Sequence, residues 1–301
     1  MLDYASLAAV ASVVREGSFE RAAGALGVTP SAISQRVRAL EDRLGTILIV
    51  RGQPCTATPI GARLCAHFER VHLLEGEMIA ALPVLATGQA TDTGPPTVRI
   101  AVNADSLGAW LLPAIAAFAR RGDVLVDLVI DDEGHTAERL RSGEVLAAVT
   151  TDAAPVQGCR TIALGALRYV AVASPAFMRQ WFAGGVDAAT LARAPILRFD
   201  RRDMLQARWA RTITGAELTA PTHWLPSSHG FLDASIAGLG WSVNPLLMAE
   251  PYLSTGQLVE LAPRHYLHVP LYWQQVRIGT RLLGKLTREV EAAAQRSLVS
   301  V

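Results

Sequence analysis

The stretch Val28-Thr29-Pro30-Ser31-Ala32-Ile33-Ser34-Gln35-Arg36-Val37-Arg38-Ala39-Leu40-Glu41 decides how the amino-terminal part of the chain folds. Thr29 is a residue that caps helices, and Pro30 suits the first helical position, where no amide hydrogen is needed. Ile33, Val37 and Leu40 recur at spacings of four and three, so they share one helix face, and Gly45 ends the run. Reading backward, Ser18 opens a second helix carrying Phe19, Ala22, Ala23 and Leu26, and Gly27 stops it. Only Val28 and Thr29 then remain before Pro30, a turn short enough to make a helix-turn-helix. Leu7, Val10 and Val14 predict a further helix ending near Gly17. Reading forward, residues 46–50 form a β-branched strand, Gly52-Gln53-Pro54 a turn and residues 55–58 a return strand, which together make a wing.

Thr58 and Pro59 open another helix, on which Ile60, Leu64, His67, Val71, Leu74 and Met78 follow heptad spacing. Such a seam is expected to bury itself against a second copy, with Phe68 as the alternative to His67. Residues 87–96, rich in Gly, Thr and Pro, read as a linker. Beyond them strands and helices alternate: strands at 98–102, 124–130 and 145–150, with helices to residue 120 and over 136–142. A second set follows, with strands at 169–173, 196–199, 222–225 and 241–243 and helices near 201–211 and 229–238. Alternation of this kind predicts an α/β sheet, and two sets predict two lobes. The expected organisation is a winged helix-turn-helix over 1–58, a linker helix and hinge over 59–96 and an α/β domain over 97–301. Its first lobe takes about 97–166 and 268–301, and its second about 167–267.

Composition limits the function. With 50% hydrophobic and 18% charged residues the 301-residue chain is expected to fold into more than one core. The net charge of +1 gives no global footprint for nucleic acid, and residues 1–66 hold a modest excess of seven arginines over five acids. No secretion signal is read at the start and no apolar run spans a bilayer, so the expected compartment is the cytoplasm, with no membrane partner. Cys55, Cys65 and Cys159 lack C-x-x-C spacing and read as reduced thiols, neither a disulfide frame nor a metal cage.

The third helix leaves Ser31, Ser34, Gln35 and Arg38 opposite its apolar face. Small hydroxyls allow close approach to the major groove, and Gln and Arg can make paired hydrogen bonds to base edges. Arg51 and Gln53 sit where a wing tip meets phosphates or the minor groove. Thr29, Pro30 and Arg36 complete the candidate DNA-binding set.

These residues resemble the DNA-binding domain of LysR-type transcription regulators, as do Phe19-Glu20-Arg21-Ala22-Ala23, Leu44-Gly45, Val50-Arg51 and Thr58-Pro59-x-Gly61. Pro30 stands where many members have Gln, so base preference does not carry over. Four further blocks resemble the ArgP or LysG (IciA) branch of that family: residues 101–107, 110–113, 138–145 and Leu271-Tyr272-Trp273. The resemblance implies a periplasmic-binding-protein-like sensor of two lobes, L-lysine or L-arginine as effector, no cofactor, and control of a basic amino-acid exporter gene. It also implies a homodimer or homotetramer on double-stranded DNA, with RNA polymerase as a candidate partner.

In α/β lobes ligands lie at the carboxyl ends of strands. Those ends supply Asn103, Asp105, Ser106, Asp131, Asp132, Glu133, Thr150, Asp152, Phe199, Asp200, Ser227 and His229 as candidate effector residues. Ser106 at a helix start is expected to offer backbone N–H groups to the effector's carboxylate, and the acids to take its cations. For Asp105 the competing role is helix capping.

Ser227, Ser228 and His229 invite a hydrolase reading, but no G-x-S-x-G elbow accompanies them and Asp233 falls on the same predicted helix. The seven histidines form no H-E-x-x-H and no Gly-rich phosphate loop follows a strand, so no enzyme is expected. A transport-type binding protein would share the lobes but not the winged helix. The alternative is an architectural DNA-binding protein whose carboxyl-terminal domain only oligomerises.

Overall fold

Side-chain caps set the amino-terminal helices. In the computed structural model, which describes residues 3–82, 96–120, 124–130, 136–277 and 280–300, Asp3, Ser18 and Thr29 each accept a hydrogen bond from a first-turn amide. They open α1 (Tyr4–Glu16), α2 (Phe19–Ala25) and α3 (Pro30–Leu44), and a cap of this kind contributes about 1 kcal/mol. Leu7, Val10, Ile33, Val37, Leu40 and Leu48 close these helices over one core.

The wing is shorter than expected, with only β1 (Ile49–Val50) and β2 (Thr56–Ala57) paired antiparallel. The reason lies in Glu41. Its carboxylate accepts from the Leu48 and Ile49 amides at 2.8 and 3.3 Å, and Thr46 N–H donates to its carbonyl. These donors tie the segment to α3 in place of a strand ladder.

Thr58 caps α4 (Pro59–Ala81). A Cβ at Gly61 would lie 2.0 Å from the Leu48 carbonyl oxygen, so only glycine lets α4 start this close to the wing. The expected heptad seam needs correcting at two positions. Leu64 packs on the DNA-binding core, as does Phe68, and His67 Nε2 lies 3.1 Å from the Tyr4 hydroxyl. Ile60, Leu74 and Met78 stay 48%, 47% and 60% exposed, while Leu73, off the seam, is buried in the carboxyl-terminal core. The expected linker over 87–96 lies, except for Pro96, outside the described residues.

The carboxyl-terminal domain is built on a seven-stranded sheet. In it, β3 (Thr97–Val102) pairs parallel with β4 (Leu125–Ile130) and β5 (Ala147–Thr150). Two long strands, β6 (Cys159–Ala173) and β11 (Tyr266–Val276), run antiparallel to each other, and β11 also pairs with β5. Farther along β6, β9 (Ser242–Pro245) and β10 (Val259–Glu260) add antiparallel pairs. A separate parallel pair, β7 (Ile196–Arg198) and β8 (Thr222–Trp224), is bridged from Ile196 to Trp241 just before β9. One set of elements thus sits at each end of the β6–β11 ribbon.

The helices cover this sheet. After β3 come α5 (Ala104–Ser106), a π-helical turn over Leu107–Leu111 and α6 (Leu112–Ala119), and α7 (Thr136–Ser142) leads into β5. Between β6 and β9 lie α8 (Pro175–Trp181), α9 (Ala188–Arg193), α10 (Leu205–Thr214) and α11 (Ser228–Ile236). Then follow α12 (Leu246–Ser254) and the amphipathic α13 (Arg281–Ser297). Trp273 on β11 donates to Thr287 on α13 at 3.1 Å, which satisfies a buried indole where the two pack. No helix among the described residues is long and apolar enough to cross a membrane.

Candidate functional site

On α3 the side chains of Ser31, Gln35 and Arg38 are exposed on the face opposite buried Ile33, Val37 and Leu40, while Ser34 and Arg36 are half-buried. Thr29 Oγ1 accepts from the Ala32 amide at 3.2 Å, so its hydroxyl serves as the cap, and Pro30 occupies the first turn. Arg51 stands exposed at the wing with its guanidinium 5.2 Å from the centre of the Phe19 ring. That cation–π contact holds the charge at the start of α2 and leaves its N–H edges free to meet phosphate. Gln53 is exposed in the wing turn, which is held to the helices because Cys55 N–H donates to the Gly17 carbonyl at 2.9 Å. These residues are the candidate DNA-contact set, and Gln35, Arg38, Arg51 and Gln53 among them are exposed.

The second site lies where the carboxyl ends of the parallel strands meet. Register pairs Val102 with Ile130 and Ala101 with Ala148, so β3, β4 and β5 end along one edge. Residues following β3 and β5 and residues following β7 wall a cleft of about 890 Å³, part of it open to solvent. Asn103, Asp105, Phe199 and Asp200 of the expected set line it. So do Thr151, Tyr169, Arg202, Asp203, Arg208 and Ser228, which the sequence reading passed over. Past Thr151 a second cavity opens, lined by Thr136, Thr150, Asp152 and Gln274.

Asp105 is the distinctive group. Asn103, not Asp105, caps the following helical turn, accepting from the Ser106 amide at 2.8 Å. The Asp105 carboxylate takes the Tyr169 hydroxyl on one oxygen at 2.9 Å and the Ser228 hydroxyl on the other at 2.6 Å. Burial raises its pKa above the ordinary carboxylate value, and nearby Asp203 adds to the rise, against the two hydroxyl bonds. Asp203 itself is spent on structure, accepting from the Phe199 and Leu205 amides and from Gln206. Asp200 similarly accepts from the Arg202 and Asp203 amides.

Several expected effector residues are placed differently. Ser106 is fully buried and its amide is already bonded to Asn103, so it offers no free N–H at the cleft. Ser227 is exposed and caps α11 through the Gly230 amide, and it does not line the cleft; its neighbour Ser228 does. His229 is exposed and sits over Gly108, outside the cleft lining. Asp152 is exposed and turns its carboxylate onto the Ala154 amide at 2.8 Å, while Thr150 accepts from Asp152 N–H. Asp131, Asp132 and Glu133 lie outside the described residues. No group of three or more metal-ligating side chains occurs among the described residues.

Residues 4–62 match the family model described as bacterial regulatory helix-turn-helix protein, lysR family, and residues 92–295 match the LysR substrate binding domain. The chain is 43% identical over 301 residues to the HTH-type transcriptional regulator ArgP of Pseudomonas aeruginosa, covering 100% of this chain and 99% of that one. A crystal structure of ArgP from Mycobacterium tuberculosis aligns with a TM-score of 0.77 at 40% identity, covering 100% of both chains. Full-length LysG from Corynebacterium glutamicum with bound effector Arg aligns with a TM-score of 0.66 at 36% identity, over 99% of this chain and 100% of that one.

Proposed function

The chain belongs to the LysR family of DNA-binding transcription regulators and is not an enzyme, and on that premise we propose that a basic amino acid, L-lysine or L-arginine, switches it. The observation that carries this reading is the cleft at the strand ends, with the Asp105 carboxylate inside it and arginines 202 and 208 beside it. It is supported by the arginine held by the LysG relative. An amino acid brings an anion and a cation, and such a pair of charges leaves water only where opposite charges receive it. Asp131, Asp132 and Glu133 follow β4 in sequence and are proposed to add negative charge for the effector's side chain.

In this reading residues 1–58 bind double-stranded DNA through Ser31, Ser34, Gln35, Arg36, Arg38, Arg51 and Gln53, residues 59–96 join two chains, and residues 97–301 sense the effector. The protein works in the cytoplasm as a homodimer or homotetramer, engages RNA polymerase and controls a basic amino-acid exporter gene. Sequencing the genomic fragments retained by the purified protein, with and without 5 mM (a roughly saturating level for a micromolar site) L-lysine or L-arginine, tests the assignment. Fragments upstream of an amino-acid exporter gene, with occupancy altered by the effector, are expected. Retention of random fragments, unaltered by either amino acid, would contradict it.

A further inference from the structure

The polar groups of the cleft are arranged unevenly, and that asymmetry fixes which way an effector lies. Asp105 is desolvated and held by two neutral hydroxyls, yet it makes no ion pair with any described residue. Arg202 and Arg208 line the same cavity and are exposed, and they too have no ion-pair partner among the described residues. A carboxylate and guanidiniums that share a cavity without pairing leave room for a ligand that carries both charges. The second cavity differs. Among its lining groups is Gln274, 2% exposed, whose amide donates to the Asp152 and Ala154 carbonyls at 3.0 and 2.9 Å while its Oε1 has no partner. A buried carbonyl oxygen without a donor is costly, and a ligand N–H relieves that cost.

We propose that Asp105 receives the α-ammonium group of an amino-acid effector, with Tyr169 and Ser228 as positioning residues that aim its two oxygens. The α-carboxylate then turns to Arg202 and Arg208, and the side chain runs past Thr151 toward Gln274. The inference rests on the amino-acid reading above but not on the effector being basic. Because Asp105 and Ser228 stand 123 positions apart in sequence and on different elements, the same bond also joins two walls of the cleft.

The test is calorimetry of the full chain with L-arginine and with 5-guanidinopentanoic acid, which lacks only the α-ammonium. In Asp105→Asn the affinity for L-arginine should fall at least about thirtyfold, the scale of a hydrogen bond to a charged group, and that for the des-amino compound should stay unchanged. Tyr169→Phe should shift the ratio between the two ligands in the same direction by about threefold to tenfold, so the claim survives if Asp105→Asn folds poorly. Equal losses for both ligands, or an unchanged ratio in both variants, would overturn it. If the native chain ignores basic amino acids and binds another, the basic-effector reading fails, and the ratio is measured on that amino acid and its des-amino acid. Binding of no amino acid overturns both.

Discussion

In the proposed reading Asp105 ties local chemistry to regulation most directly. Its folded-state pKa is raised, so it begins to take up a proton above the ordinary carboxylate range as pH falls. The Tyr169 and Ser228 hydroxyls touch it and the Asp203 carboxylate lies nearby, while Arg202 and Arg208 line the same cleft without forming an ion pair with it. A cationic effector binds the ionised form, so affinity should be flat at neutral pH and fall as pH drops through that raised value. The limiting slope is about tenfold per pH unit for one proton. Calorimetry from about pH 7.5 down to about pH 4 (the ordinary carboxylate value) reads it, and a profile still flat at the lower end would count against binding through the ionised Asp105. Cys65 makes a second case. Burial, with Glu69 close by, pushes its thiol up to about 12, so it is thiol and not thiolate at neutral pH. It should resist a disulfide reagent such as dithionitrobenzoate at pH 8 in the folded chain and react once the chain is unfolded in guanidinium. Neither residue could be singled out in advance: for Asp105 the sequence favoured the role of a cap, because which neighbour takes the helix amide depends on backbone angles.

At the scale of elements, the punctuation was legible. Ser18, Thr29 and Thr58 open α2, α3 and α4, and Gly17 and Gly45 close α1 and α3 in the left-handed conformation, at φ 68° and 65°. Caps act within one turn, so their signal is local. The long strand β6 was legible only over 169–173, because its first half carries Arg160, Thr161 and Gly165 and is held by pairing with distant β11. The wing is shorter than its sequence suggested for a similar reason, since one Glu41 carboxylate captures the amides of an apparently β-forming run.

Two predictions belong to these elements. On operator DNA, Gln35→Ala and Arg38→Ala should each cost about 1–3 kcal/mol and should cost less on random DNA, because both are proposed to face base edges. Arg51→Ala should weaken both and lower the salt slope by roughly one unit. Fluorescence anisotropy at several salt concentrations separates the cases, and equal losses on both DNAs for all three would move the interface elsewhere. On α4 the exposed apolar residues are Ile60, Leu74 and Met78. Leu74→Glu with Met78→Glu should therefore give monomers by light scattering and weaken operator binding, whereas an unchanged assembly would remove α4 from the interface. Leu64→Glu is a different experiment, since Leu64 packs inside its own domain and its loss should lower Tm.

For the whole molecule, the two-part plan was legible because a helix-turn-helix and an alternating α/β pattern are both periodic signals. The cleft was legible as a place, at the carboxyl ends of strands, but not as a set of side chains. Tyr169 reaches it from β6, Arg202 from the turn before α10, Arg208 from α10 and Ser228 from α11, and those approaches leave no mark in local spacing. Ser227 and Ser228 illustrate the limit: one rotation along a helix start decides which hydroxyl caps α11 and which meets Asp105. The central claim is that this cleft recognises a basic amino acid by opposed charge. Calorimetric titration of the full chain with L-lysine, L-arginine and L-norleucine tests it most directly, because norleucine resembles lysine without the terminal charge. The account predicts binding of lysine or arginine and norleucine binding weaker by at least about thirtyfold. Norleucine binding as tightly as the basic amino acids would contradict it.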